Sequence, residues 1–293
     1  MTKTAWVFPG QGSQATGMGT DLLEIPTART QFDRAEEILG WSVSQICQEG
    51  GDSLSRTLYT QPSLYVVETV LVDLLREKGR SPDIVAGHSL GEYVALYAAG
   101  AIDFETGLRL VKRRAELMDT AAGGEMAALM KFDRDRLSEV IQETEGVVLA
   151  NDNSAAQVVI SGTPAAVDTV LANVKAKRAV KLDVSGAFHS PLMAPAALEF
   201  QQILNPISFS DTKIPVLSNV DPTPTTDGNL LKDRLMRQMT GSVRWREICL
   251  QLNESGIEAA IEVGPGKVLA GLLKRTCSGM TLENVSGAAD LPT

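Results

Sequence analysis

Gly87-His88-Ser89-Leu90-Gly91 fits G-x-S-x-G, the pattern in which a serine sits on a sharp strand-to-helix turn. The flanking glycines allow a turn too tight for Cβ atoms, and the turn lifts the serine oxygen clear at a helix N-terminus. There the peptide dipole and the free N–H of Leu90 can stabilise an oxyanion. The chemistry implied is acyl transfer through a seryl ester; a glycine-flanked helix start without chemistry would carry the same five letters. A serine hydroxyl also needs a base to be nucleophilic near neutral pH. The chain has two histidines. His88 adjoins Ser89, so its side chain should project away from the serine. His189 remains by elimination, in Val184-Ser185-Gly186-Ala187-Phe188-His189-Ser190-Pro191. Small residues and the proline predict a loop there.

Two further features bear on the same chemistry. Phe8-Pro9-Gly10-Gln11-Gly12-Ser13-Gln14 lacks both the GK[ST] ending of a Walker loop and dinucleotide G-x-G-x-x-G spacing. Gly264-Pro265-Gly266-Lys267 is followed by Val268, so it is no nucleotide loop either. The first loop is either a tight turn or, lying beside the elbow, the donor of a second N–H from Gln11. In the helix predicted over 104–118, Leu108, Leu110, Val111, Ala115, Leu117 and Met118 form an apolar side. At about 100° per residue Arg114 falls within that side, whereas Lys112 and Arg113 fall well away from it. A cation there must meet an internal carboxylate or a substrate anion. Both readings stand on the pattern alone.

The elements that must position these residues alternate. Short apolar strands are predicted at 5–8, 83–87, 215–219 and 259–263, with helices over 27–39, 62–77, 90–99, 104–118 and 229–239. Alternating strands and helices suggest a parallel sheet covered on both faces. Between them lie strands at 126–130, 147–150, 157–162 and 180–184 and helices over 133–143 and 164–175, the β-α-β-β-α-β order of ferredoxin-like units. The fold class expected is α/β: a large α/β-hydrolase-like domain, 1–124 and 194–293, with a small ferredoxin-like domain, 125–193, inserted into it. The last ten or so residues look untethered.

Composition narrows the function. Twenty-seven Lys and Arg against 36 Asp and Glu give a net charge of −9, a poor balance for gripping phosphate backbones. Aromatic residues at 5% argue against base-stacking platforms. Cys47, Cys249 and Cys277 form no CxxC pair, and two histidines cannot complete a zinc set. Reduced thiols, the short apolar run at the N-terminus and the lack of a membrane-length apolar stretch point to a soluble, cytoplasmic protein. Neither nucleic acid, membrane nor metal is expected as a partner.

Taken in order, these residues resemble the malonyl-CoA:acyl carrier protein transacylases of type II fatty acid synthesis, and the acyltransferase domains of polyketide synthases. The resemblance rests on Phe8 to Gln14, Thr60-Gln61-Pro62, Gly87 to Glu92, Arg114, Asn151 and Asn153, Gln157 to Gly162, Ala187-Phe188-His189-Ser190 and Glu262 to Gly266. It implies that Ser89 carries the acyl group and that His189 is base, then acid. It also implies an oxyanion hole of the Gln11 and Leu90 N–H groups, and Arg114 on the malonate carboxylate. Malonyl-CoA would be the substrate and an acyl carrier protein the partner, its phosphopantetheine taking the group, with no permanent cofactor and a monomeric chain. Phe188 stands in a context resembling malonyl-selecting members. The family places the carbonyl that orients the histidine in a Pro-Val-Xaa-Trp-like segment; here it reads Ser242-Val243-Arg244-Trp245. Lys175, Lys177, Arg178 and Lys181 are either a docking patch for an acidic carrier or a solvated face. A polyketide synthase acyltransferase acting in trans and a serine thioesterase or esterase are the rival readings.

Overall fold

The computed structural model describes residues 2–121 and 123–292. Strand β1 (Thr4–Phe8) is followed by α1 (Pro26–Leu39), α2 (Val43–Glu49), α3 (Gly51–Ser55) and α4 (Thr57–Glu77). Then come β2 (Ile84–Gly87), α5 (Gly91–Ala99) and α6 (Phe104–Asp119). The middle holds β3 (Glu125–Phe132), α7 (Arg134–Glu143), β4 (Val147–Ser154), β5 (Gln157–Gly162), α8 (Pro164–Asn173) and β6 (Ala176–Lys181). The chain continues through α9 (Ala194–Leu204), β7 (Val216–Leu217), α10 (Gly228–Gln238) and α11 (Trp245–Glu254). It closes with β8 (Ala259–Val263), α12 (Val268–Thr276) and β9 (Thr281–Val285).

Five parallel strands form one sheet in the order β7-β2-β1-β8-β9. Its strands read as unbroken apolar runs because both faces are buried. Trp6, Phe8, Val85, Ile261 and Val263 pack into a core shared with α4, α5 and α6. Ala5, Val7, Ile84, Ala86 and Ala260 turn the other way, onto Trp245, Ile248, Leu269 and Leu272 of α11 and α12. Alternation between two cores is the period of two expected of a strand.

A separate antiparallel sheet has the order β4-β5-β3-β6. One face, with Ala127, Leu129, Val158 and Ile160, packs on Leu137, Val140, Val167 and Val170 of α7 and α8. The other face turns Met126, Ala128, Ala150 and Val159 into the main core. The end of β4 also ties the small sheet to the segment before α11. Val243 N–H donates to Ala150 O at 2.8 Å and Asp152 N–H donates to Val243 O at 2.9 Å. The buried Asp152 carboxylate takes Arg134 and Arg246 together.

Several sequence expectations shift. The last strand of the small sheet covers 176–181, not 180–184, because an exposed edge strand needs no apolar run and this one carries Lys177 and Arg178. Strand β4 runs on to Ser154 through polar Asn151, Asp152 and Asn153. Helix α4 starts at Thr57 and carries Pro62 within it. Helices α2, α3, α9, α11 and α12 and strand β9 had no sequence signal strong enough to place them. The C-terminal segment is tethered, with Ala288 N–H donating to Asp21 Oδ2 at 2.6 Å.

Candidate active site

The elbow is built by backbone contact. A Cβ on Gly87 would lie 1.9 Å from Gly91, and one on Gly91 would lie 2.0 Å from Phe8 O. Glycine is therefore required at both positions. Among the described residues Ser89 is one of three non-glycine residues with positive φ, at 52°; His189, at 57°, is another. Non-glycine residues hold such a conformation where their surroundings over-determine it. At Ser89 the surroundings are explicit. Its N–H donates to Asn219 Oδ1 at 2.8 Å, and its carbonyl accepts from Gln238 Nε2 at 2.8 Å. Asn219 Nδ2 also donates to Gly87 O at 2.6 Å.

Ser89 Oγ lies 2.8 Å from His189 Nε2. His189 Nδ1 faces two carbonyls, Gln238 O at 3.0 Å and Gly241 O at 3.1 Å. Carbonyls accept, so the imidazole proton is on Nδ1 and Nε2 is free to accept the serine proton. Burial, then the charge of Arg114, push the His189 pKa down to about 3. His88 does turn away from Ser89, and its Nε2–H donates to Asn153 Oδ1 at 2.8 Å.

Arg114 is fully buried. Its Nη1 donates to Gln61 Oε1 at 2.7 Å, and its Nη2 to Ser89 Oγ at 3.0 Å and Gln238 Oε1 at 3.2 Å. Its Nε has no partner among the described residues, and the guanidinium lies 5.5 Å from the Tyr93 ring centroid. Among the described residues no carboxylate pairs with it. The internal salt bridge that the helix pattern allowed is thus not made, because Gln61 and Gln238 supply neutral oxygens instead.

The first loop reaches the same place. A Cβ on Gly10 would lie 2.4 Å from His88 O, so glycine lets the loop close on the elbow. Gln61 Nε2 donates to Gln11 Oε1 at 3.4 Å, and Gln11 Nε2 to Thr57 Oγ1 at 3.0 Å. Thr57 lines a cleft of about 450 Å³ with Arg56, Asp119, Val184 and Ser185.

Residues 5–293 match the model of the acyl transferase domain. The chain belongs to that family. It is 60% identical over 289 residues to a malonyl CoA-acyl carrier protein transacylase of Synechocystis sp., an alignment covering 99% of each chain. A crystal structure of the Synechocystis malonyl-CoA:ACP transacylase superposes with a TM-score of 0.97 at 60% identity, covering 98% of both chains. A solved complex of a type II polyketide acyl-carrier protein with its malonyl-transacylase gives a TM-score of 0.93 at 37% identity, over 99% of this chain and 97% of that one.

In this acyltransferase the residues expected from sequence fall into two groups. Ser89, His189 and Arg114 converge on one oxygen atom. Leu90 follows Ser89 at the start of α5, Gln11 joins through Gln61, and Phe188 is buried next to His189. The carbonyls that meet His189 belong to Gln238 and Gly241, just before the Ser242–Trp245 segment rather than within it. Gln61 and Glu92, which the sequence named only among the residues of the resemblance and without a role, complete the site together with Asn219 and Gln238. Asn219 ends a predicted strand beside the elbow, a position that could have flagged it; Gln238 had no such signal. The four basic residues do not form one face. Lys177 and Arg178 are neighbours in β6 and so point to opposite sides. Lys181 is held by Glu125 and Asp168.

Proposed function

We propose that this acyltransferase moves the malonyl group of malonyl-CoA to the phosphopantetheine thiol of an acyl carrier protein, supplying fatty acid synthesis, through a malonyl ester on Ser89. The observation that carries the reading is Ser89 Oγ held between the free Nε2 of a buried histidine at 2.8 Å and a buried guanidinium at 3.0 Å. A hydrolase has no use for the second of these. In a malonyl ester the free carboxylate lies three bonds beyond the ester oxygen, within reach of Arg114, where guanidinium can take it bidentately.

The steps follow from the hydrogen bonds. Ser89 attacks the thioester carbonyl as its proton passes to His189 Nε2, and the Gln238 and Gly241 carbonyls support the imidazolium through Nδ1–H. The developing oxyanion is taken by the N–H groups of Gln11 and Leu90. Collapse expels the CoA sulfur, which receives the proton from His189. The carrier's thiol then gives its proton to His189 and attacks the seryl ester, and collapse returns a proton to Ser89. Two half-reactions share one base, with no resident cofactor in the scheme. Intact mass spectrometry with malonyl-CoA, then with carrier protein, tests it: a malonyl adduct on Ser89 should form and then disappear onto the carrier. Release of free malonate instead would favour a hydrolase.

The division into a hydrolase-like unit, 1–124 and 194–293, and a ferredoxin-like insert, 125–193, belongs to the same reading. In its support, the four strands in the order β4-β5-β3-β6 have their own apolar set beneath α7 and α8. Three buried free cysteines suit the reducing cytoplasm. Among the described residues no helix is long and apolar enough to cross a membrane.

Two predictions arise here. Because His189 is held down to about 3, it stays a neutral base far below the ordinary range. Single-turnover acylation of Ser89 should therefore be flat from about pH 8 to about pH 5, without a loss centred near the usual histidine value of about 6.5. Rapid-quench rates across that range check it, and an acid limb near that value would contradict a buried, unprotonated base. The second concerns side-chain choice. A phenyl ring at Phe188 beside the malonyl C2 leaves little room for a methyl branch, and one methylene is worth about 1–3 kcal/mol of discrimination. Phe188→Ser should relax selectivity towards methylmalonyl-CoA with some loss of activity, read as the ratio of the two kcat/KM values. Efficient use of methylmalonyl-CoA by the unaltered protein would show the steric argument to be wrong.

A further inference from the structure

Gln238 ends α10 and is 1% exposed. Its backbone carbonyl serves His189, which asks nothing of the side chain. The side chain has different partners. Oε1 accepts from Arg114 Nη2 at 3.2 Å, while Nε2 donates to Glu92 Oε2 at 2.7 Å and Ser89 O at 2.8 Å. The amide dipole is thereby fixed, its oxygen on a cation and its nitrogen on acceptors, with Asn219 Oδ1 a third at 3.4 Å. Turned over, it would aim N–H groups at the guanidinium. Glu92 Oε2 is anchored in turn by Asn219 N–H at 3.1 Å. This buried acid meets Arg114 through the Gln238 amide and not by contact.

A buried guanidinium touching a carboxylate would be compensated before any substrate arrived. Gln61 and Gln238 hold Arg114 in place with neutral oxygens; Glu92 acts on it only across the Gln238 amide, and burial still outweighs that attraction, so the guanidinium charge is not fully matched. We propose that the Gln238 side chain is a specificity-determining positioning residue: its neutral amide, held by Glu92, aims Arg114 at the acyl group on Ser89 and leaves the guanidinium charge available to an acyl carboxylate. The inference rests on the roles given above to Ser89 and Arg114.

Gln238→Glu tests it with a nearly isosteric side chain that keeps an acceptor at Arg114, adds a competing charge, and sets an oxygen in place of the N–H donor to Glu92 and Ser89 O. Both thioesters should lose some kcat/KM, because Ser89 O loses its Nε2 donor, but the loss for malonyl-CoA should exceed that for acetyl-CoA by on the order of tenfold to a hundredfold. The malonyl-to-acetyl ratio of this variant should recover as pH falls and the introduced carboxyl takes a proton, whereas the unaltered protein shows no such dependence. Gln238→Met removes the acceptor without adding charge and keeps the backbone carbonyl; its ratio should drop several-fold and be independent of pH. Equal losses towards both thioesters, with no pH dependence in the Glu variant, would overturn the proposal. If the Glu variant does not fold, equal losses in the Met variant overturn it by themselves. Arg114→Ala run alongside separates the two levels. An unchanged ratio there rejects the carboxylate site itself; a changed ratio there with an unchanged one in both Gln238 variants rejects the positioning role alone.

Discussion

Ser89→Ala should abolish acylation by malonyl-CoA, with turnover falling on the order of 10⁶ as nucleophile loss does in serine-histidine systems. His189→Ala should be comparably poor, and the double variant no worse than either single one, because the two residues act in one step. The fold should survive the serine change. The positive φ at residue 89 is imposed through backbone groups, the N–H on Asn219 and the carbonyl on Gln238, and alanine presents the same groups with a Cβ no larger. A thermal melt should therefore move little while the intact mass stays unacylated. A stable malonyl adduct at another residue of the alanine variant, still passed to carrier protein, would sink the mechanism.

What was legible in the sequence was local. Four or five apolar residues bounded by Pro or Gly placed β1, β2 and β8, and glycines at fixed spacing placed the elbow. Helical periodicity put Arg114 on the buried side of α6, where it lies. Its pairing was not legible: Gln61 stood among the residues of the resemblance without a role and Gln238 was not named, they lie 53 and 124 residues away, and nothing in a glutamine's type marks it as an arginine's partner. The same limit explains His189. Elimination found the residue, but the carbonyls that orient it lie 49 and 52 residues on, and every residue has a carbonyl. Charge read along the chain misleads for a related reason. Lys177 and Arg178 adjoin in sequence, yet the pleat of β6 sends them to opposite faces. Edge strands and partly exposed helices such as β6, α9 and α11 evade a search for apolar runs because they do not need them.

Arg114→Ala tests the reading where pattern and geometry meet. In the free protein Nη2 rests on Ser89 Oγ at 3.0 Å, so a carboxylate on the acyl group replaces a weak partner with a charged one. Removing one side of a buried, charge-assisted pair costs about 3–5 kcal/mol, equivalent to roughly 10²–10⁴ in kcat/KM for malonyl-CoA. Acetyl-CoA offers no carboxylate and should lose nothing comparable. It should even gain, for two reasons. A buried cation facing a methyl group is unfavourable, and the guanidinium is the second cause, after burial, of the low His189 pKa. Without Arg114 the histidine becomes a stronger base for every acyl donor; with it, a substrate carboxylate is what offsets the cation beside the forming imidazolium. Selectivity should thus move towards neutral acyl groups. Measuring both thioesters together with a thermal melt decides the matter: parallel losses and a lowered Tm would make Arg114 a structural residue, while a reversed preference in a protein of unchanged stability would place it on the substrate.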